Sequence, residues 1–161
     1  MSGIIGVSPN MKSGVVGDYP DKPAFYVYGG VGNTSVGNQS VFPWASIHTN
    51  VGGHFDLSQN RFIVPQKGAY WFCLKAYFYG GDNSTQNSLK LLRENSGGVA
   101  QEHPAFAYQP SEILYNDDTM YVQAVFNCWK GDKVCALNND SAEDYYFSAL
   151  SHSTFQGFLI G

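Results

Sequence analysis

The chain has 161 residues, of which 43% are apolar, 16% aromatic and 14% charged, with a net charge of −4. That length suits one domain with a sizeable core, and the apolar share excludes a disordered chain or a coiled coil. Nine Lys and Arg, nowhere clustered along the sequence, exclude a nucleic-acid footprint, and no stretch is long enough for membrane insertion.

Residues 1–22 differ from the rest. They are nearly uncharged and carry the isolated pairs Ile4-Ile5 and Val15-Val16, with no helical or alternating period. They read either as a free terminus or as an extended arm whose apolar patches order against a partner. The opening MSGIIGVSPNMKSGVVG has no basic leading segment and no long apolar region, so the chain is expected to stay in the compartment where it is made.

From Pro23 onward strand signals dominate, and residues 23–161 read as one domain. Ala24 to Tyr28 is a short strand, stopped by Gly29-Gly30, and residues 29–40 form a Gly/Asn/Ser loop. Val41 to Ile47 and Arg61 to Val64 are further strands, separated by turns at Asn50–Gly53 and Ser58–Asn60. The clearest strand is Ala69 to Tyr79. Its period of two puts Tyr70, Phe72, Leu74, Ala76 and Phe78 on a core face. Trp71, Cys73, Lys75, Tyr77 and Tyr79 fall on the opposite face, which a second subunit would partly cover.

Leu89 to Leu92 fits a strand or one helical turn, and residues 101–118, with Pro104 and Pro110, read as irregular. Met120 to Asn127 alternates again, Lys130-Gly131-Asp132 is a tight turn, and Lys133 to Leu137 and Tyr145 to Leu150 are strands. In the closing Ser153 to Gly161, Phe155 and Leu159 share one face while Phe158 and Ile160 share the other. A terminal strand apolar on both faces needs cover on both, and a neighbouring copy of the chain is the simplest second cover. About ten short strands with regular turns and no long amphipathic helix define a sandwich or jelly roll.

Three segments in order resemble the C1q/TNF-like jelly-roll family. They are Asn50-Val51-Gly52-Gly53-His54-Phe55-Asp56 with Arg61–Pro65 and Gly68–Phe72; Trp129-Lys130-Gly131-Asp132-Lys133-Val134; and Ser153-Thr154-Phe155-Gln156-Gly157-Phe158-Leu159. Pro23-Ala24-Phe25 is similar to the family's opening strand. The resemblance covers roughly residues 23–161. It implies an all-β fold, a ten-stranded antiparallel jelly-roll β-sandwich, assembled as a homotrimer around an aromatic-rich axis, with ligands met by outer loops and no shared enzymatic activity. The positions expected at the trimer interface are Phe25, Trp71, Tyr77, Tyr79, Phe158 and Ile160. Gly131 suits a turn needing positive φ, and Gly157 leaves room for a close aromatic neighbour.

The leader, with Met1–Gly6 and Ser13–Gly17, resembles those of tailed-phage virion surface proteins. Joined to the jelly roll it implies a capsid decoration protein or short fibre on the virion surface. Ile4, Ile5, Val15 and Val16 would then anchor three arms to capsid or other virion proteins. The alternative is a free, extracellular C1q-like module that recognises glycans, a host surface glycan among them, or other surface ligands. Trp44, Tyr108, Tyr115, Tyr145 and Tyr146 are the candidate ligand-facing aromatics.

No nucleophile elbow or phosphate loop is present, so no catalytic residue is expected. No cofactor or metal is expected either: His48 and His54, six residues apart around a turn, read as turn histidines. Calcium is the one candidate cation, at Asp117-Asp118 or at Asp140, Glu143 and Asp144. Cys73, Cys128 and Cys135 each sit in an apolar run and read as small buried hydrophobes, with a Cys73–Cys128 bridge left open.

Overall fold

The computed structural model describes residues 22–30, 34–37, 39–79, 87–101, 104–109, 117–139, 145–147 and 152–161; residues 34–35, 78–79, 87, 108–109, 117–118 and 145–147 are described by their backbone. The expected arm anchors Ile4, Ile5, Val15 and Val16 lie outside the described residues.

Two antiparallel sheets form the domain. The first has seven strands: β1 (Ala24–Gly30), β2 (Thr34–Val36), β3 (Trp44–Val51), β6 (Gly68–Tyr79), β9 (Asp117–Cys128), β11 (Tyr145–Phe147) and β12 (Thr154–Leu159). The second has five: β4 (Phe55–Asp56), β5 (Arg61–Ile63), β7 (Asn87–Glu94), β8 (Ala105–Gln109) and β10 (Lys133–Asn138). In the first sheet β6 is central. β9 pairs with it over its whole length, and β12, β1 and β3 follow in turn on its other side. β11 and then β2 continue that side beyond β12, where Phe147 pairs with Phe78. The second sheet runs β4-β5-β10-β7-β8.

The period of two along β6 predicted its inward face: Tyr70, Phe72, Leu74 and Ala76 are completely buried. On β9, Met120 and Val122 turn inward while Tyr121, Gln123, Val125 and Asn127 face out. An aromatic cluster locks the sheets together. Phe25 of β1 stacks on Phe62 of β5 at 4.8 Å and meets Phe55 of β4 at 4.9 Å and Phe155 of β12 at 4.8 Å. Such offset and edge-on pairs add about 0.5–1.5 kcal/mol each beyond their burial. Gly157 is what lets the rings approach. A Cβ there would lie 2.5 Å from Cδ1 of Phe72 and 2.9 Å from Cε1 of Phe25.

Polar groups tie the layers where strands end. Asn138, completely buried, donates from Nδ2 to the Val36 carbonyl at 2.8 Å and so joins β10 to β2 of the other sheet. Arg61 Nε donates to Glu94 Oε2 at 2.9 Å and bridges β5 and β7 across β10.

Several expectations are corrected. Within the segment read as irregular, Ala105–Gln109 is strand β8, paired with β7; five residues with a proline at each end offer too short a pattern to read. Within the loop read at 29–40, Thr34–Val36 is β2, paired with β11. Leu89–Leu92, which fitted either a strand or a helical turn, is strand. The strand read at Val41–Ile47 lies three to four residues later, at Trp44–Val51. Gly131 has φ 89°, as its turn requires.

Candidate functional site

The outward face of the seven-stranded sheet is built in cross-strand rows. One row is Ala24, Phe158, Trp71 and Val125 on β1, β12, β6 and β9. The next is Tyr26, Gln156, Cys73 and Gln123, and the third is Tyr28, Thr154, Lys75 and Tyr121. Lys75 is the single charged side chain in these rows. Ile160 extends the face past the first row, its N–H donating to the Ala69 carbonyl at 2.8 Å.

Several residues on this face are large, apolar and open to solvent. Tyr121 is 57% exposed, Val125 58%, Phe158 45% and Ile160 46%. Phe158 and Trp71 pack ring to ring at 5.3 Å. A wet face of an antiparallel sheet is ordinarily polar, and contiguous apolar patches on a monomer mark interaction sites. Of the positions expected at a trimer interface, the structure places Trp71, Phe158 and Ile160 together here. Tyr77, half-buried, stands further along β6 with its ring edge-on to His152 at 5.0 Å. Tyr79 is on β6, with its side chain outside the described residues.

Phe25 is corrected: it is 3% exposed and belongs to the core, because its position on β1 alternates with Ala24 and Tyr26 and faces the second sheet. Tyr121 and Val125 were missed. The signal for them was present, since the outward set on β9 holds two large apolar residues where polar ones would suffice.

A family model for the C1q domain matches residues 24–160. The chain belongs to the C1q domain family. Complement C1q tumor necrosis factor-related protein 3 from human and from mouse is each 27% identical to this C1q domain over 117 residues, 73% of the chain and 43% of the relative. The chain therefore spans less than half the length of these curated relatives. Among solved structures, the globular domain of zebrafish complement 1qA superposes with a TM-score of 0.62 at 20% identity, over 87% of this chain and 98% of that one. Murine APRIL gives 0.63 at 19% identity over 86% and 98%, and Eiger TNF from S. frugiperda 0.67 at 16% over 88% and 94%. These three likenesses show the shared jelly roll.

The aromatics expected in ligand-facing loops of the C1q domain are distributed otherwise. Trp44 is 2% exposed and packs on Phe155, with ring centroids 6.0 Å apart, so it is a core residue. Tyr108 lies on β8 and Tyr145 and Tyr146 on β11, with side chains outside the described residues, as is all of Tyr115. His48 is exposed on β3, edge-on to Tyr26 at 5.6 Å, and His54 stands against Gly52. Among the described residues no group of three His, Cys, Asp or Glu converges. The candidate calcium ligands Asp140, Glu143 and Asp144, and the side chains of Asp117 and Asp118, lie outside the described residues.

The three cysteines of the C1q domain are free and buried. Cys73 sits opposite Gln123 and Cys128 opposite Gly68, so five residues of ladder, about 16 Å, separate them, well beyond the reach of a disulfide. Burial pushes the Cys128 and Cys135 thiols up to about 12 and raises Cys73 as well. A rise of three units leaves about a thousandfold less thiolate than an ordinary thiol at pH 8.5. Iodoacetamide at pH 8.5 is therefore expected to leave Cys128 and Cys135 unlabelled in the folded protein and to label both in urea, read by mass spectrometry. Rapid labelling without urea would contradict their burial. Because the folded values are raised, this contribution to stability is complete below pH 9 and is lost as pH climbs towards 12.

Proposed function

We propose that this C1q domain is a non-enzymatic recognition head that works as a homotrimer, with the outward face of the seven-stranded sheet as its subunit interface. The observation that carries this reading is the run of Trp71, Val125, Phe158 and Ile160, with Tyr121 two rows away, on one continuous face, four of them 45–58% exposed. Left in water such a face costs about 25 cal/mol for each Å² of apolar area, and burial against a second copy removes that cost. A ring of three closes if each copy turns by the same rotation, so that no apolar face is left over. The trimer implied by the family supplies that closure.

Three identical heads in one particle convert weak single contacts into avidity. That is a mechanism for recognising repetitive ligands and needs no chemistry at the site. Kinship with complement C1q tumor necrosis factor-related protein supports this recognition role, and an extracellular location, ahead of a decoration or fibre role on a virion. The virion reading rests on residues 1–22, of which only Lys22 is among the described residues.

Light scattering of the purified protein over a range of concentrations tests the assembly. A mass of three chains is expected. A single-chain mass at every concentration would leave the apolar face uncovered and end the trimeric reading.

A further inference from the structure

One exposed aromatic stands apart from the interface rows. Trp129 follows the last pair of the β6–β9 ladder, Gly68 with Cys128, and so sits at the rim of that face. It is 58% exposed, and the Lys67 ammonium lies 3.9 Å from its ring centroid. The backbone beneath it is fixed. Its N–H donates to Asp132 Oδ2 at 2.9 Å and its carbonyl accepts from the Asp132 N–H at 3.0 Å. A rigid aromatic has little conformational entropy to lose when something packs on it.

The described chain begins at this same end of the sheet. The Leu159 N–H donates to the Pro23 carbonyl at 3.1 Å, and Lys22 Nζ donates to the Ile160 carbonyl at 3.4 Å. The Ile160 N–H in turn donates to Ala69, which stands opposite Asn127. Lys22, Ile160, Ala69 and Asn127 therefore share one level, and Trp129 lies two residues beyond it, on the side from which the chain enters β1. From β1 across β12, the start of β6 is two strand spacings away, about 10 Å, and the end of β9 three, about 14 Å.

Residues 1–21, outside the described residues, close with Val15-Val16-Gly17-Asp18-Tyr19-Pro20-Asp21. We propose that this segment docks on the end of its own sheet, with Asp18 at Lys67 and Val15 and Val16 on the indole of Trp129. Reach and order agree. The four residues from Asp18 to Lys22 span up to about 13 Å, enough for Lys67 just before β6, and the six from Val16 up to about 20 Å, enough for Trp129 just past β9. Charge agrees as well. Between Val16 and Lys22 the only charges are Asp18 and Asp21. Among the described residues no ion pair engages Lys67, while Asp132, the carboxylate of the turn, is taken up by Arg93 and the Trp129 N–H. Trp129 lies beyond the interface rows, so the docking does not depend on the trimer. A segment held in this way is occupied by its own head instead of anchoring that head to another particle.

The test is hydroxyl-radical footprinting of the full chain, read at Trp129 by mass spectrometry, beside zero-length carbodiimide cross-linking of carboxylates to lysines. Wild-type Trp129 is expected to oxidise severalfold more slowly than in urea, and Val15→Ser/Val16→Ser is expected to remove most of that protection. Trp44 and Trp71 should label alike in both proteins, which shows that the head is intact. Asp18 should cross-link to Lys67 within one chain, as read in a mixture of light and isotope-labelled protein, and Asp18→Asn should abolish that peptide pair. The docking is overturned if wild-type Trp129 oxidises as fast as in urea, which would leave the indole open to an outside partner. Protection that survives Val15→Ser/Val16→Ser but falls on dilution overturns it too, since a second copy would then be the cover. An Asp18–Lys67 cross-link found only between chains, or not at all, overturns it equally. A single-chain mass in light scattering with these effects intact would end the trimer and leave the docking standing.

Discussion

Gly157→Ala is expected to lower the stability of the domain by about 3 kcal/mol, at the upper end of the range for overpacked cores. The added methyl would sit 2.5 Å from Cδ1 of Phe72 and 2.9 Å from Cε1 of Phe25, distances no real Cβ contact tolerates. Neither ring has anywhere to go. Phe72 is completely buried against Phe62 and Phe155, and Phe25 is held by Phe55, Phe62 and Phe155 at once. β12 cannot retreat either, because β1 and β6 flank it on both sides. In thermal melts the loss corresponds to roughly 6–12 °C for a domain of this size. Gly161→Ala, where an added Cβ meets nothing within 4 Å, is the control and should melt as wild type. Combining Gly157→Ala with Phe72→Leu should cost less than the sum of the two single changes, because the smaller side chain vacates the contested space. A Gly157→Ala protein as stable as wild type would show that the cluster is looser than these distances state.

Val125→Glu is expected to turn a particle of three chains into single chains without unfolding them. Val125 is 58% exposed on β9, directly across from Trp71, at the end of the row that also holds Phe158. Within one chain a glutamate there remains in water and costs little. In the trimer the carboxylate would be buried at each of three interfaces, where an uncompensated charge costs several kcal/mol. The dissociation constant should therefore rise by about three orders of magnitude or more. Light scattering should report one chain where wild type reports three, while far-UV circular dichroism stays unchanged. Phe158→Glu should behave alike. Val99→Glu, at a 61% exposed position in the β7–β8 turn, should leave the mass at three chains. A trimeric Val125→Glu protein would mean that another surface holds the subunits together.

The two experiments probe opposite sides of the same sheet. That pairing follows from the period of two, by which Phe72 and Gly157 look inward at the second sheet while Trp71 and Phe158 look out. In the proposed trimer the assembly surface is thereby independent of the core.

What the amino-acid order determined by itself is local. The alternation along Ala69–Tyr79 named Tyr70, Phe72, Leu74 and Ala76 as inward correctly, and Met120–Asn127 alternates as its pattern says, because a strand's pleat alternates whatever it pairs with. Gly131 and Gly157 were legible because a positive φ and a close ring contact each demand the absence of a Cβ. The last strand likewise put Phe155 and Leu159 on one face and Phe158 and Ile160 on the other, the first pair buried and the second exposed. Other features were decided by tertiary structure. Ala24–Gly30 is apolar at nearly every position, so its pattern does not say which face is inside; pairing with β12 and β3 sends Phe25 and Val27 into the core. Trp44 reads as a ligand-facing aromatic until β3 lays it against Phe155. β8 exists because β7 pairs with it, an encounter between distant segments that a five-residue window does not contain. Periodicity reports which residues share a face; the second sheet decides which face is buried and which distant residues become neighbours.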